Sequence, residues 1–204
     1  MPNDAFSTDA SGRFGDTPLR ETRVRTEQLL DGVLLKAHRD EVELPDGQIV
    51  PREWIDHPGA AAVVPLFADG STALLRQFRY AAGAEFLEVP AGKIDHPGEA
   101  PVEVACRELE EEAGLRAGTL HRMGATYPAI GYSNEIIHLF VAEDLERTAP
   151  DRERGEFMEV VHPRFAEAMQ KVRASRIQDA KTVAALTMAE AFLQTSEAGE
   201  KRLR

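Results

Sequence analysis

The chain has 204 residues, 43% hydrophobic and 29% charged, a globular balance that excludes a disordered or fibrous chain. Its 35 acidic against 24 basic residues give a net charge of −11. Such a surface repels a phosphate backbone or an anionic bilayer on average, so a general nucleic-acid or membrane binder is excluded. A lone Cys106 forbids an internal disulfide, and no stretch approaches the roughly 18 apolar residues of a membrane span. A cytoplasmic setting is expected.

Residues 1–18 are rich in Asp, Ser, Thr and Gly without periodicity and read as a flexible arm. Residues 19–57 read as a small antiparallel β unit, strand-like from 22 to 55, with a turn at Pro45-Asp46-Gly47. It is too short to be stable alone. The boundary falls at His57-Pro58-Gly59, and the main domain is expected over 58–195, with 196–204 a flexible tail. Two apolar runs, AAAVVPLF and TALLRQF, flank Ala68-Asp69-Gly70-Ser71 and predict a second hairpin. A strand over 85–89 follows, broken by Pro90-Ala91-Gly92. The clearest helix covers 101–113, with Pro101 in its first turn and Gly114 as its stop. Val102, Cys106, Leu109 and Ala113 recur at helical spacing, which places Cys106 on the packed face rather than as a nucleophile. Strands are predicted near 120–126, 136–142 and 157–161. Helices follow over 164–172 and 180–193, the second with Asp179 as N-cap. Strands mixed with a few helices specify an α/β (α+β) sandwich.

On the 101–113 helix Glu108 is three and four residues from Glu111 and Glu112, so the carboxylates project to neighbouring spots. Like charges so placed repel, and a divalent cation relieves the repulsion. Hard oxygen ligands suit Mg²⁺ or Mn²⁺ rather than zinc. Glu99 lies just before the helix and can reach the same cluster, while Arg107 sits among the acids and can pair with or orient one. The plainer alternative is a solvated acidic face.

The frame around these residues, through the resemblance it carries, favours the first reading. Residues 92–115, GKIDHPGEAPVEVACRELEEEAGL, resemble the Nudix box, Gly-x5-Glu-x7-Arg-Glu-U-x-Glu-Glu-x-Gly-U, where U is apolar. Glu99, Arg107, Glu108, Leu109, Glu111, Glu112, Gly114 and Leu115 match in register. The box glycine would fall at Lys93, but the glycine is Gly92, so His96 reads as a one-residue loop insertion. LLRQFRY, EFLEVPAGKID, YPAIGYSNEIIHLFVA and RIQDAKTVAAL are similar to the ADP-ribose and nucleoside diphosphate-sugar pyrophosphatase branch of that family.

The resemblance implies a Nudix-type α/β/α sandwich around a mixed β-sheet, preceded by a small N-terminal antiparallel β unit that exchanges across a homodimer. It implies hydrolysis of ADP-ribose to AMP and ribose 5-phosphate by metal-activated water, with Mg²⁺, or Mn²⁺ in its place. Glu108 and Glu112 would be the principal metal ligands. Glu111 and Glu99 would be supporting ligands or base-orienting groups, with the Ala91 carbonyl adding a ligand. Glu135 is the candidate base, although some relatives place that role on the box helix; its plainer reading is a loop carboxylate at a strand edge. Arg79 would clamp a phosphate, with Arg76 a weaker candidate. Trp54 would stack on adenine or else pack a core or an interface, and Glu88 would touch base or ribose or else be a satisfied strand carboxylate. Two alternatives stand beside this reading: another nucleoside diphosphate derivative as substrate, or a nucleotide-sugar sensor without turnover.

Overall fold

The computed structural model describes residues 18–96, 98–151, 155 and 157–195. Of the expected arm only residue 18 is among them, and the expected tail, 196–204, lies outside. The chain divides into two compact units, residues 1–57 with 129–135, and residues 58–128 with 136–204.

In the first unit β1 (Thr22–Asp31), β2 (Lys36–Glu43) and β3 (Ile49–Asp56) form an antiparallel sheet in that order. The turn joining β2 to β3 needs Gly47, whose φ is 83° and whose N–H donates to the Leu44 carbonyl at 2.9 Å. Asp46 supports it by accepting the Gln48 N–H at 3.0 Å, as an Asp-Gly turn requires. Segment 129–135 is tied to β3. The Ile55 N–H donates to the Tyr132 carbonyl at 2.8 Å, and the Asn134 side chain accepts from His57 N–H and donates to Asp56.

The second unit is built on β4 (Ala60–Pro65), whose six residues are all buried. A strand covered on both faces is continuously apolar rather than alternating. β4 lies between β7 (Ala91–Lys93) and β9 (Ile137–Arg147), with β8 (Leu115–Thr126) beyond, in the order β7-β4-β9-β8. The β4–β9 pair is parallel and the others antiparallel, which makes the sheet mixed. Alternate side chains feed two cores. Ala60, Ala62, Val64, Leu139 and Val141 pack with Phe165, Ala185, Leu186 and Ala189 of helices α2 (Phe165–Arg173) and α3 (Ala180–Thr195). Ala61, Val63, Phe140 and Ala142 pack with Val104, Ala105 and Leu109 of α1 (Pro101–Ala113). The result is the expected α/β/α sandwich. A second sheet in this unit orders β10 (Met158–Val161), β5 (Leu74–Arg79) and β6 (Ala84–Glu88) as β10-β5-β6.

Three expectations need correction. The turn at residues 68–71 forms, with the Phe67 N–H on the Ser71 carbonyl at 3.0 Å, but its flanking strands do not pair as a hairpin. Both edges of β4 are taken by β7 and β9, so β5 enters the other sheet. Next, Pro90-Ala91-Gly92 does not merely end a strand; Ala91 and Gly92 begin β7. Finally, Val102 is 43% exposed and Cys106 is exposed. The buried arc of α1 runs through Val104, Ala105, Glu108, Leu109, Glu112 and Ala113. At 100° per residue its centre is turned by roughly 80° from the apolar line, because Val104 and Ala105 as well as the two glutamates are drawn in. Partial burial, with Glu103 and Glu110 nearby, pushes the Cys106 thiol up in pKa, so it remains a poor nucleophile.

Candidate active site

Helix α1 begins with Pro101 at N1, and Glu103 accepts the Ala100 N–H at 2.8 Å. It stops at Gly114 in the left-handed conformation, φ 64°. Between these ends the helix presents its carboxylates to one arginine. Arg107 donates to Glu99 Oε1 at 3.2 Å, to Glu108 Oε1 at 2.6 Å and to Glu111 Oε2 at 3.1 Å. It also donates to the Lys93 carbonyl at 3.2 Å, so one guanidinium joins loop, strand and helix. Burial pushes Arg107 down in pKa, but the Glu108 charge and the three carboxylate hydrogen bonds outweigh it. Burial likewise pushes Glu99 up, and Arg107 outweighs it, leaving Glu99 below its ordinary range.

Glu108 and Glu112 are 8% and 6% exposed. Glu112 Oε2 accepts the Ala91 N–H at 2.9 Å. Glu108 fills the space a side chain would need at Gly92, where an added Cβ would lie 1.8 Å from Glu108 Oε1. Despite the shifted spacing, therefore, Gly92 is the glycine that lets strand and helix close. Between β7 and α1, Gly98 has φ 85°.

The donor set suits a hard divalent cation: four carboxylates and backbone oxygens, with no sulfur. Glu99 Oε2 is buried and, among the described residues, has no hydrogen-bond partner. Among those residues no three acidic, His or Cys side chains already stand in ligating geometry; three of the carboxylates converge on Arg107 instead. A cleft of about 540 Å³ opens beside them, lined by Arg107, Glu110, Glu111, Ala149, Pro150 and Asp151.

Beside this cluster, Arg79 at the end of β5 grips Glu88 with Nε and Nη2 at 2.7 and 2.6 Å. Lys181 also reaches Glu88 Oε2. Both oxygens of Glu88 are thus engaged by cations. Burial pushes Glu88 up, yet the Arg79 hydrogen bonds and the Lys181 charge outweigh it and hold its carboxyl low. The Glu112 charge adds to those that favour the Arg79 cation.

The family model for the NUDIX domain matches residues 56–186. This chain belongs to the NUDIX family. The Nudix chain is 37% identical over 182 residues to an ADP-ribose pyrophosphatase of Bacillus subtilis (strain 168), spanning 88% of this chain and 96% of that one. It is 36% identical over 180 residues to a methanol dehydrogenase activator of Bacillus methanolicus, at 87% and 95% coverage. A crystal structure of an ADP compounds hydrolase superposes with a TM-score of 0.78 at 23% identity, covering 90% of this chain and all of that one; it shares the fold. Nudix hydrolases generally use divalent cations.

The other anticipated residues of the Nudix chain have contacts of their own. Arg76 sits on the opposite face of β5 from Arg79, because strand side chains alternate, and it pairs with Glu159 and Glu85. Trp54 and Glu135 belong to the first unit. The Trp54 indole donates to buried Asp40 at 3.0 Å and stacks on His38, ring centroids 4.9 Å apart. Glu135 Oε1 stands 3.9 Å from His57 Nε2, and its N–H donates to Ser133 Oγ at 3.1 Å.

Sequence reasoning missed Lys181, Asp40 and Asn134. A signal existed for Lys181: a cation in the first turn of a helix opposes the macrodipole and needs carboxylate partners. Asp40 and Asn134 carried no comparable local mark.

Proposed function

We propose that this chain hydrolyses the diphosphate of ADP-ribose, giving AMP and ribose 5-phosphate, with Mg²⁺ held at the α1 carboxylates. The observation that supports it most is the meeting of Glu108 and Glu112 with the Ala91–Gly92 cradle, with Glu99 and Glu108 tied to the same Arg107. The ADP-ribose pyrophosphatase relative, similar over nearly its whole length, supports the choice of substrate.

Glu108 and Glu112 are the principal holders of the cation, Glu111 and Glu99 assist, and the Ala91 carbonyl adds an oxygen. When bound, the cation would supply charge to neutralise the diphosphate and to lower the pKa of a water. Arg107 keeps Glu99, Glu108 and Glu111 from splaying apart under mutual repulsion. Arg79 takes a phosphate oxygen of the ligand, and Glu135 accepts the proton of the attacking water. Trp54, braced by His38 and Asp40, offers its ring to adenine. Arg76, neutralised by Glu159 and Glu85, is a peripheral contributor at most. The protein works in the cytoplasm as a homodimer joined through its N-terminal sheet. Support for the dimer comes from β1, every residue of which is exposed, Val24, Leu29 and Leu30 included.

The test is AMP release from ADP-ribose in about 5–10 mM Mg²⁺, a range that fills weak, water-retaining sites, beside Glu112→Gln. AMP from the wild type, reduced at least about 100-fold in the variant, is the expected result. No product, with ADP-ribose still raising the melting temperature, would replace the enzyme with a sensor. Product from a different nucleoside diphosphate derivative alone would move the substrate.

A further inference from the structure

A partly buried charged network links the start of α3 to Arg79. Glu88 is 2% exposed and stands 93 residues from Lys181 in sequence. The Lys181 side chain is 14% exposed and joins Glu88 to Asp179, whose Oδ2 lies 2.9 Å from Nζ. Asp179 Oδ2 also caps α3, accepting the Thr182 N–H at 3.0 Å and the Thr182 hydroxyl at 2.6 Å. Thr182 Oγ1 in turn accepts the Val89 N–H at 2.9 Å, two residues before the Ala91 N–H that meets Glu112. Two cations and two carboxylates balance, so the group is neutral where desolvation would penalise a net charge.

The geometry leaves Arg79 with one role. Its Nε and Nη2 are spent on Glu88, while Nη1 makes no hydrogen bond among the described residues. The Arg79 side chain is 47% exposed, so the outer end of a fixed fork faces solvent. Lys181 sits at the positive end of the α3 dipole, an unfavourable place for a cation unless it is needed there.

We propose that Glu88 and Lys181 are positioning residues for the reaction: Glu88 fixes the orientation of Arg79, and Lys181 shares the Glu88 charge so that Arg79 is not drawn inward. This rests on the reading that Arg79 binds a substrate phosphate. Without Lys181, Arg79 alone neutralises a buried carboxylate and is held back from the ligand. Without the Glu88 charge, Arg79 keeps its cation but loses its fixed direction.

The experiment is a double-mutant cycle read as KM against kcat on ADP-ribose, using Arg79→Ala, Glu88→Gln, Lys181→Met and the doubles with Arg79→Ala. Arg79→Ala should raise KM about 10–100-fold, the range of a charged hydrogen bond. Glu88→Gln and Lys181→Met should each raise KM about 5–10-fold with kcat within about threefold. In the Arg79→Ala background each should change KM less than about twofold, because residues acting through one group are not additive. Should Glu88→Gln fail to fold, Lys181→Met, nearer the surface, decides alone. A raised KM in Arg79→Ala with wild-type KM in the other two overturns the positioning role alone, as do effects that multiply in the doubles. A wild-type KM in Arg79→Ala overturns the phosphate reading and the positioning role with it.

Discussion

Gly92→Ala tests the contact between β7 and α1 most directly. The added Cβ would stand 1.8 Å from Glu108 Oε1, 2.1 Å from Cδ and 2.7 Å from Oε2, where ordinary contact begins at 3.4 Å. The carboxylate must retreat by about 1.6 Å. That closes the space beside Gly92 to the Glu108 carboxylate, and Mg²⁺ ligation, with a tolerance of about 0.2 Å, leaves little room for an alternative placement. The fold has less at stake, because what moves is the far end of a flexible side chain rather than backbone. Losing the Arg107–Glu108 hydrogen bond destabilises by about 1–3 kcal/mol, and the stiffer unfolded chain returns about 0.4–1 kcal/mol. For a chain of this size the net corresponds to a fall of a few degrees in Tm. The assay pairs thermal melts across a Mg²⁺ titration with AMP release. The expected result is a folded variant whose Mg²⁺-induced rise in Tm needs about 10–100-fold more cation, with turnover reduced alongside. A variant with wild-type Mg²⁺ dependence and turnover would refute the assignment of Glu108 as a ligand.

Glu135→Gln should lower kcat about 10²–10⁴-fold, the range of a general base, while the Mg²⁺ dependence of Tm stays that of the wild type. If Glu111→Gln produces that loss and Glu135→Gln does not, the base lies on the helix. In sedimentation equilibrium the protein should run at twice the chain mass, and Leu30→Glu should shift it towards monomer; a monomeric wild type would refute exchange through the N-terminal sheet.

Much of the helix site was legible without coordinates because its signals are local. Glu99, Arg107, Glu108, Glu111 and Glu112 belong to one helix and its approach, so spacing alone places them together. Pro101, Gly114 and the Asp46-Gly47 turn act through their own φ angles, and Asp179 through a hydrogen bond three residues away. The shifted glycine could not be judged that way. Whether Gly92 or Lys93 faces Glu108 depends on the β4–β7 register, which pairs Gly92 with Ala61.

Residue type and short-range spacing determined the class of fold, the helix with its carboxylate cluster, and the hard-oxygen character of the site. These follow from side-chain period, backbone freedom and charge, each of which acts over a few residues. Only the tertiary structure decided that β4 and β5 enter different sheets, and that segment 129–135 joins the N-terminal unit. It alone decided that Val102 and Cys106 face outward, and that Lys181 meets Glu88 across 93 residues. Strand edges can be paired once, and a buried charge must find its opposite wherever the chain brings one near. Both are settled by competition among distant segments, which no local window contains.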